Sequence, residues 1–250
     1  MATREDVLRE LKLAPEWRLR GRAEPGTAEA RSSDGSATPA AREGGGTVDA
    51  DLRRARIAAL GWEAFDADVA ACTACGLCRA RNKTVPGVGD RDADWLFVGE
   101  GPGAEEDAKG EPFVGQAGRL LDSMLGALGM RRGERVYIAN VVKCRPPGNR
   151  APEPGEAEAC RPYLERQIAL IRPKLVVALG KSAASLLLGT DATIASLRGR
   201  AHRYGGIPLV VTYHPAYLLR SLPEKAKAWE DLLFARRVAS SDPPPPPAGA

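Results

Sequence analysis

Trp95-Leu-Phe-Val98 runs directly into Gly99-Glu-Gly-Pro-Gly103, and this junction decides the fold. Four successive apolar residues without polar alternation read as a strand buried on both faces. Val136-Tyr-Ile-Ala139, Leu175-Val-Val-Ala-Leu179 and Leu209-Val-Val-Thr-Tyr213 have the same strand length and β-branched content. Between the first two runs, Ala117, Leu120, Leu121, Met124, Leu125 and Leu128 mark a helix with a core-facing stripe. Further helices are expected over Pro154 to Ile171, Lys181 to Leu188 and Glu224 to Arg237. This alternation predicts the α/β class, a parallel sheet covered by helices on both faces. Ligands of such sheets sit at the carboxyl ends of the strands, where Glu100, Asn140 and His214 fall.

Gly99-x-Gly101-x-Gly103 invites a nucleotide-binding reading, and its details argue against one. The spacing is not GxGxxG, Pro102 lacks an amide donor, and the next helix is expected only beyond Gly110, Pro112 and Gly115. These glycines let the backbone pass close to a flat ligand or a phosphate. Gly180-Lys-Ser182 is a second decoy. A phosphate-binding loop would need glycine where Leu175 stands, so Lys181 and Ser182 simply begin a helix.

Cys72-Thr-Ala-Cys75, with Cys144 and Cys160 downstream, brackets the glycine segment and has the spacing of a four-sulfur metal site. Zinc and an iron-sulfur cluster both fit. Cys78 continues the first group as Cys72-x-x-Cys75-x-x-Cys78, leaving open which thiols are ligands. The charged Met1-Ala-Thr-Arg-Glu-Asp6 is followed by no apolar signal region, so disulfides are not expected and a cytoplasmic location is. No apolar run approaches membrane-span length. A net charge of +4 over 250 residues is compatible with a polyanionic partner without demanding one.

Composition divides the chain. Residues 1–19 read as a short helical segment carrying Val7, Leu8 and Leu11 on one face, ended by Pro15. That helix is a frayed terminus or a docking peptide for a protein partner. Residues 20–51 hold one large aliphatic residue, Val48, and read as a disordered linker. Residues 52–240 form the compact domain, and the Pro-rich tail 241–250 is expected to be disordered.

Four ordered motifs resemble the iron-sulfur family-4 uracil-DNA glycosylases. They are Gly99-Glu-Gly-Pro-Gly-Ala-Glu-Glu-Asp107, Gly110-Glu-Pro-Phe-Val-Gly-Gln-Ala-Gly118, Asn140-Val-Val-Lys-Cys-Arg-Pro-Pro147 and His214-Pro-Ala-Tyr-Leu-Leu-Arg220. The resemblance runs from about Ala71 to Arg237. It implies a three-layer α/β/α sandwich with a central four-stranded parallel sheet, and a structural [4Fe-4S] cluster on Cys72, Cys75, Cys144 and Cys160. It also implies uracil-containing DNA as substrate, no membrane, and a monomer. The alternative is a non-catalytic iron-sulfur nucleic-acid-binding accessory protein.

The resemblance assigns Phe113 to stack on the flipped uracil; without it, Phe113 reads as a core residue. Asn140 can donate to uracil O4 and accept from N3–H, or satisfy its own strand-end turn. His214 can donate to uracil O2 as charge develops. Glu100 and Gly101 occupy uracil-contact positions, and Gly101 stands where better-known relatives carry a water-activating aspartate. Water must then be oriented by backbone carbonyls, Glu106 or Asn149. Glu106 is also placed to crowd C5 and exclude thymine. Glu105 and Asp107 are expected to be solvated charges at a helix start, and His202 to lie on the surface. DNA contact is assigned to Lys143 and Arg220 on phosphates and to Leu218 as a wedge, or as a buried helix-start leucine. A sister branch bonds covalently to the abasic sugar through a histidine between the last two cysteines; residues 145–159 contain none.

Overall fold

The computed structural model describes residues 46–241. The expected N-terminal helical segment, most of the linker and the Pro-rich tail lie outside them. The chain order is α1 (Gly46–Ala58), α2 (Trp62–Ala71), β1 (Val88–Gly89), β2 (Trp95–Gly99), α3 (Ala104–Lys109), α4 (Gln116–Ala127), β3 (Val136–Asn140), α5 (Pro154–Ile171) and β4 (Leu175–Leu179). It continues with α6 (Lys181–Leu188), α7 (Ile194–Leu197), β5 (Ala201–Tyr204), β6 (Ile207–Thr212), α8 (Pro215–Leu218) and α9 (Glu224–Ser240).

One sheet of six strands runs in the order β1-β3-β2-β4-β6-β5. Parallel pairing links β3 to β2, β2 to β4 and β4 to β6, with Trp95 opposite both Val136 and Leu175. The edges β1 and β5 pair antiparallel. The expected four-stranded sheet is therefore corrected to a mixed sheet of six strands. The edges escape a hydrophobic reading because β1 is two residues long and β5 alternates exposed and half-buried positions.

Side-chain alternation along the strands sorts the core onto two faces. Leu96, Val98, Val176 and Ala178 pack with Leu164, Ile168, Ala183 and Leu187 of α5 and α6. Trp95, Phe97 and Val177 pack with Leu121 and Leu125 of α4 and Leu232 and Ala235 of α9. Every residue of β2, β3 and β4 is buried, which explains their continuous apolar runs.

A smaller cluster joins Ile57, Phe65, Val69 and Tyr163. It corrects the linker boundary, since residues 46–51 open α1 rather than trailing off as coil. Burying Ile57 contributes about 1.5–3 kcal/mol. The exposed Arg54 pairs to Glu158 and Glu165 contribute about 0–1 kcal/mol each, so apolar docking anchors this helix. A second correction concerns α3, which starts immediately after Gly103 with no intervening insert.

Candidate active site and cysteine pocket

A cleft of about 470 Å³ opens at the carboxyl ends of β2, β3 and β6. Glu100, Phe113, Asn140, His214, Tyr217 and Arg220 are among its walls. Gly99 permits this convergence: a Cβ there would lie 2.5 Å from Asn140 Oδ1 and 2.6 Å from Phe113 Cζ. Phe113 takes a left-handed backbone, φ 56°. Arg132 holds the carbonyls of Pro112 and Phe113 at 2.8 and 2.9 Å, and Gly118 of α4 admits the Phe113 carbonyl where a Cβ would sit 1.7 Å away. The phenyl ring stacks on His214 at a centroid distance of 5.5 Å.

Glu106 closes this loop. Its Oε1 accepts from the amides of Val114 (2.9 Å) and Gly115 (3.2 Å), and its Oε2 from Gly103 (3.1 Å). With both oxygens engaged, Glu106 is a clamp on the loop rather than a free base. Asn149 sits exposed on the rim, and its Oδ1 accepts from Arg145 Nε at 2.7 Å. The Glu100 carbonyl accepts from Val142 N–H, while its carboxylate makes no comparable amide bonds among the described residues. Gly101 packs against Val142, where a Cβ would meet a methyl at 2.8 Å.

His214 caps α8, its Nδ1 accepting from the Ala216 amide at 3.1 Å. That bond fixes the proton on Nε2. Burial, helped by the Arg220 charge and opposed by Glu106, pushes its pKa down to about 4, so the ring is a neutral donor. Asn140 is 1% exposed and its Nδ2 meets no acceptor within the protein. A buried unpaired donor costs about 1–3 kcal/mol, so a polar ligand atom at this position would be favoured.

All five cysteines, Cys72, Cys75, Cys78, Cys144 and Cys160, line a second, small pocket roofed by Val69 and Tyr163. None is in a disulfide. Arg81 Nη1 donates to Cys144 Sγ at 3.1 Å, Arg53 Nη2 to Cys72 Sγ at 3.5 Å and the Lys143 amide to Cys160 Sγ at 3.3 Å. Burial pushes the Cys160 thiol up to about 12 and raises Cys144 as well. Holding such sulfurs as thiolates requires a bound cation. The donor set therefore fits a thiolate-ligated metal centre, although among the described residues no group of three or more His, Cys, Asp or Glu is gathered as a metal-chelating site.

The model of the uracil DNA glycosylase superfamily matches residues 86–233. The chain belongs to this superfamily. A type-4 uracil-DNA glycosylase of Thermotoga maritima is 50% identical over 152 residues, 60% of this chain and 79% of the relative. The type-4 enzyme of Archaeoglobus fulgidus is 46% identical over 160 residues, 61% of this chain and 80% of the relative. A type-5 uracil-DNA glycosylase of Thermus thermophilus is more distant, 34% identical over 151 residues, 53% of this chain and 68% of the relative. The type-4 proteins thus stand nearer to this member of the superfamily than the type-5 protein does.

Two of the three residues assigned to DNA contact in this uracil DNA glycosylase superfamily member are corrected. Lys143 is 1% exposed, its Nζ donating to the Asn140 carbonyl at 2.8 Å and to Gln167 Oε1. Burial pushes its pKa down to about 8, against the thiols of Cys160 and Cys144. It supports the Asn140 backbone from behind and is not available to a phosphate. Leu218 is 1% exposed and belongs to the core, so it is not a wedge. Arg220 is exposed at the cleft. Asp107 is fully buried rather than solvated, accepting from the Asn82 backbone and side-chain amides at 2.9 and 2.6 Å. His202 is half-buried, Nε2 lying 2.8 Å from the Leu197 carbonyl. Sequence reasoning passed over Tyr217, a neighbour of Leu218 that lines the cleft; the signal was available in its helical phase relative to Pro215 and Leu218. Among the described residues, no helix is long and apolar enough to cross a membrane.

Proposed function

We propose that the chain is a uracil-DNA glycosylase that hydrolyses the N-glycosidic bond of deoxyuridine in DNA, with a [4Fe-4S] cluster held by Cys72, Cys75, Cys144 and Cys160. The observation that carries this reading is the pairing of two donors in one cleft: the orphaned Asn140 Nδ2 and the neutral His214 Nε2–H, beside the Phe113 ring. Uracil presents a flat face and two carbonyl oxygens, which match such a set once the nucleotide has left the base stack.

The Phe113 ring stacks on the base, Asn140 donates to O4, and His214 donates to O2. As the C1′–N1 bond breaks, its electron pair moves onto the uracil ring and charge grows on O2 and O4. Donors already aimed at those atoms lower the barrier without reorganising. Water oxygen bonds to C1′, and its proton passes toward the Glu100 carboxylate. Bond cleavage running ahead of water attack makes a weak base sufficient. Glu106 keeps Phe113 in place through its amide bonds. When bound, the cluster supplies a structural tie between the Cys72–Cys75 turn and the segments carrying Cys144 and Cys160.

The test is release of free uracil from a uracil-containing oligonucleotide in EDTA, with iron and sulfide measured on the same preparation at about four of each per chain. His214→Ala should slow single-turnover release about 10²-fold or more while DNA binding persists. A binding module would release no uracil, and a variant within about threefold of wild type removes His214 from the mechanism.

A further inference from the structure

Large hydrophobic side chains are exposed at few places in the described residues, and three of them, Tyr217, Leu219 and Leu222, fall just after His214. Helix α8 explains the pattern: Pro215 and Leu218 point into the core, leaving Tyr217 39% exposed on the cleft wall. This ring is not loose. It stacks on Tyr213 at 5.4 Å between centroids with planes 18° apart. The Arg198 guanidinium lies 5.6 Å from the centre of the Tyr213 ring. Arg198 Nε donates in turn to Asp231 Oδ2 at 3.0 Å, and buried Asp231 also accepts from Thr212 Oγ1 at 2.9 Å.

The brace Asp231, Arg198 and Tyr213 therefore holds an exposed aromatic at the edge of the cleft. Such a ring has already lost its side-chain freedom, so a flat partner gains the full benefit of stacking. Extruding a nucleotide leaves the adjacent base with one uncovered face, and aromatic stacking on bases is tolerant of sequence. Arg220, exposed beside Tyr217, adds a cation for the neighbouring phosphate.

We propose that Tyr217 stacks on the base flanking the extruded uracil, and that Tyr213 and Arg198 are positioning residues for that contact. The proposal rests on the glycosylase reading above.

The experiment uses the full-length protein and an oligonucleotide carrying 2-aminopurine next to uracil. Fluorescence reports unstacking of that neighbour, and single-turnover uracil release is followed in parallel. Tyr217→Ala should raise the half-saturating protein concentration about tenfold or more, the scale of one base–aromatic stack. It should change the release rate at saturation much less. Tyr217→Phe and Tyr217→Trp should restore binding, since both keep a flat ring. Wild-type binding and fluorescence in Tyr217→Ala, with uracil still released, overturn the proposal and leave the glycosylase reading standing. Equal impairment of all three variants also overturns it, because a structural role is indifferent to the ring. If wild type releases no uracil, both readings fall.

Discussion

In the cleft, each placed side chain is held by protein partners. His214 is pinned by the Ala216 amide, the Phe113 loop by Glu106 and Arg132, and Asn140 sits against a glycine that leaves room for it. The cysteine pocket differs. Five thiols face one small space, with Arg81 donating to Cys144, Arg53 to Cys72, and burial opposing the ionisation of Cys144 and Cys160. The cleft is preorganised by hydrogen bonds and packing within the protein, whereas the cysteine pocket has a donor set suited to closing around a cation. In the proposed reading, chemistry and structural tying are kept apart, and Lys143 spans the two sites. Its amide donates to Cys160 Sγ and its ammonium to the Asn140 carbonyl.

The sharpest way to break this comparison is to remove a thiol. Cys144→Ala and Cys160→Ala should lose iron and cooperative thermal unfolding together, because metal affinity in such sites is folding free energy. Uracil release should fall below detection with them. If both variants melt like wild type, the pocket is held by apolar packing, as the cleft is held without a metal, and the contrast disappears.

A smaller effect is expected from Lys143→Met, which keeps an unbranched chain and deletes the buried charge. The Asn140 carbonyl and Gln167 Oε1 then lose a donor, at about 1–3 kcal/mol. Melting should drop by several degrees, and uracil release in the iron-loaded protein should slow about tenfold as Asn140 loosens. Full activity with depleted iron would show instead that Lys143 serves only the cysteine pocket.

Sequence patterning was sufficient for the four central strands because burial on both faces leaves an unbroken apolar run, as in Leu175–Leu179. The edge β5 was missed although Gly205-Gly206, between Tyr204 and its partner Ile207, is a hairpin signal. Helix α1 was not expected, and residues 46–51 read as linker, because small and polar residues open it; only packing of Ile57 on Phe65 and Tyr163 shows why it forms. In the cleft, the residue types of Asn140 and His214 and their strand-end positions were legible, whereas Phe113, in the loop before α4, was assigned only through the family resemblance. The supports of these residues were not legible. Lys143 and Asp107 looked like surface charges, and nothing local in a sequence distinguishes a solvated charge from one buried against a backbone carbonyl or amide. Leu218 is buried, the alternative reading of that residue, while Tyr217, which the sequence reading passed over, is exposed, because adjacent residues on a helix face different sides.

The smallest effect concerns protonation in the cleft, and it separates a self-held donor from a charged one. His214 has its pKa held at about 4, below the ordinary 6.5, mainly by burial and secondarily by Arg220, with Glu106 opposing. Between those values the unfolded chain binds a proton that the folded chain does not. The stability from keeping this ring neutral is therefore fully present above pH 6.5 and is lost progressively as pH falls toward 4. With the ring held at about 4 instead of 6.5, this amounts to about 3 kcal/mol at most. Catalysis should respond differently, because the Nε2–H donor exists throughout that window in the folded protein. Single-turnover uracil release should show no inflection near pH 6.5, whereas the melting temperature of wild type should fall more steeply than that of His214→Gln between pH 6.5 and 4. A rate inflection at pH 6.5 that disappears in His214→Gln would mean that the ring titrates as if solvated, and the cleft would then depend on charge at His214 rather than on a preset hydrogen bond.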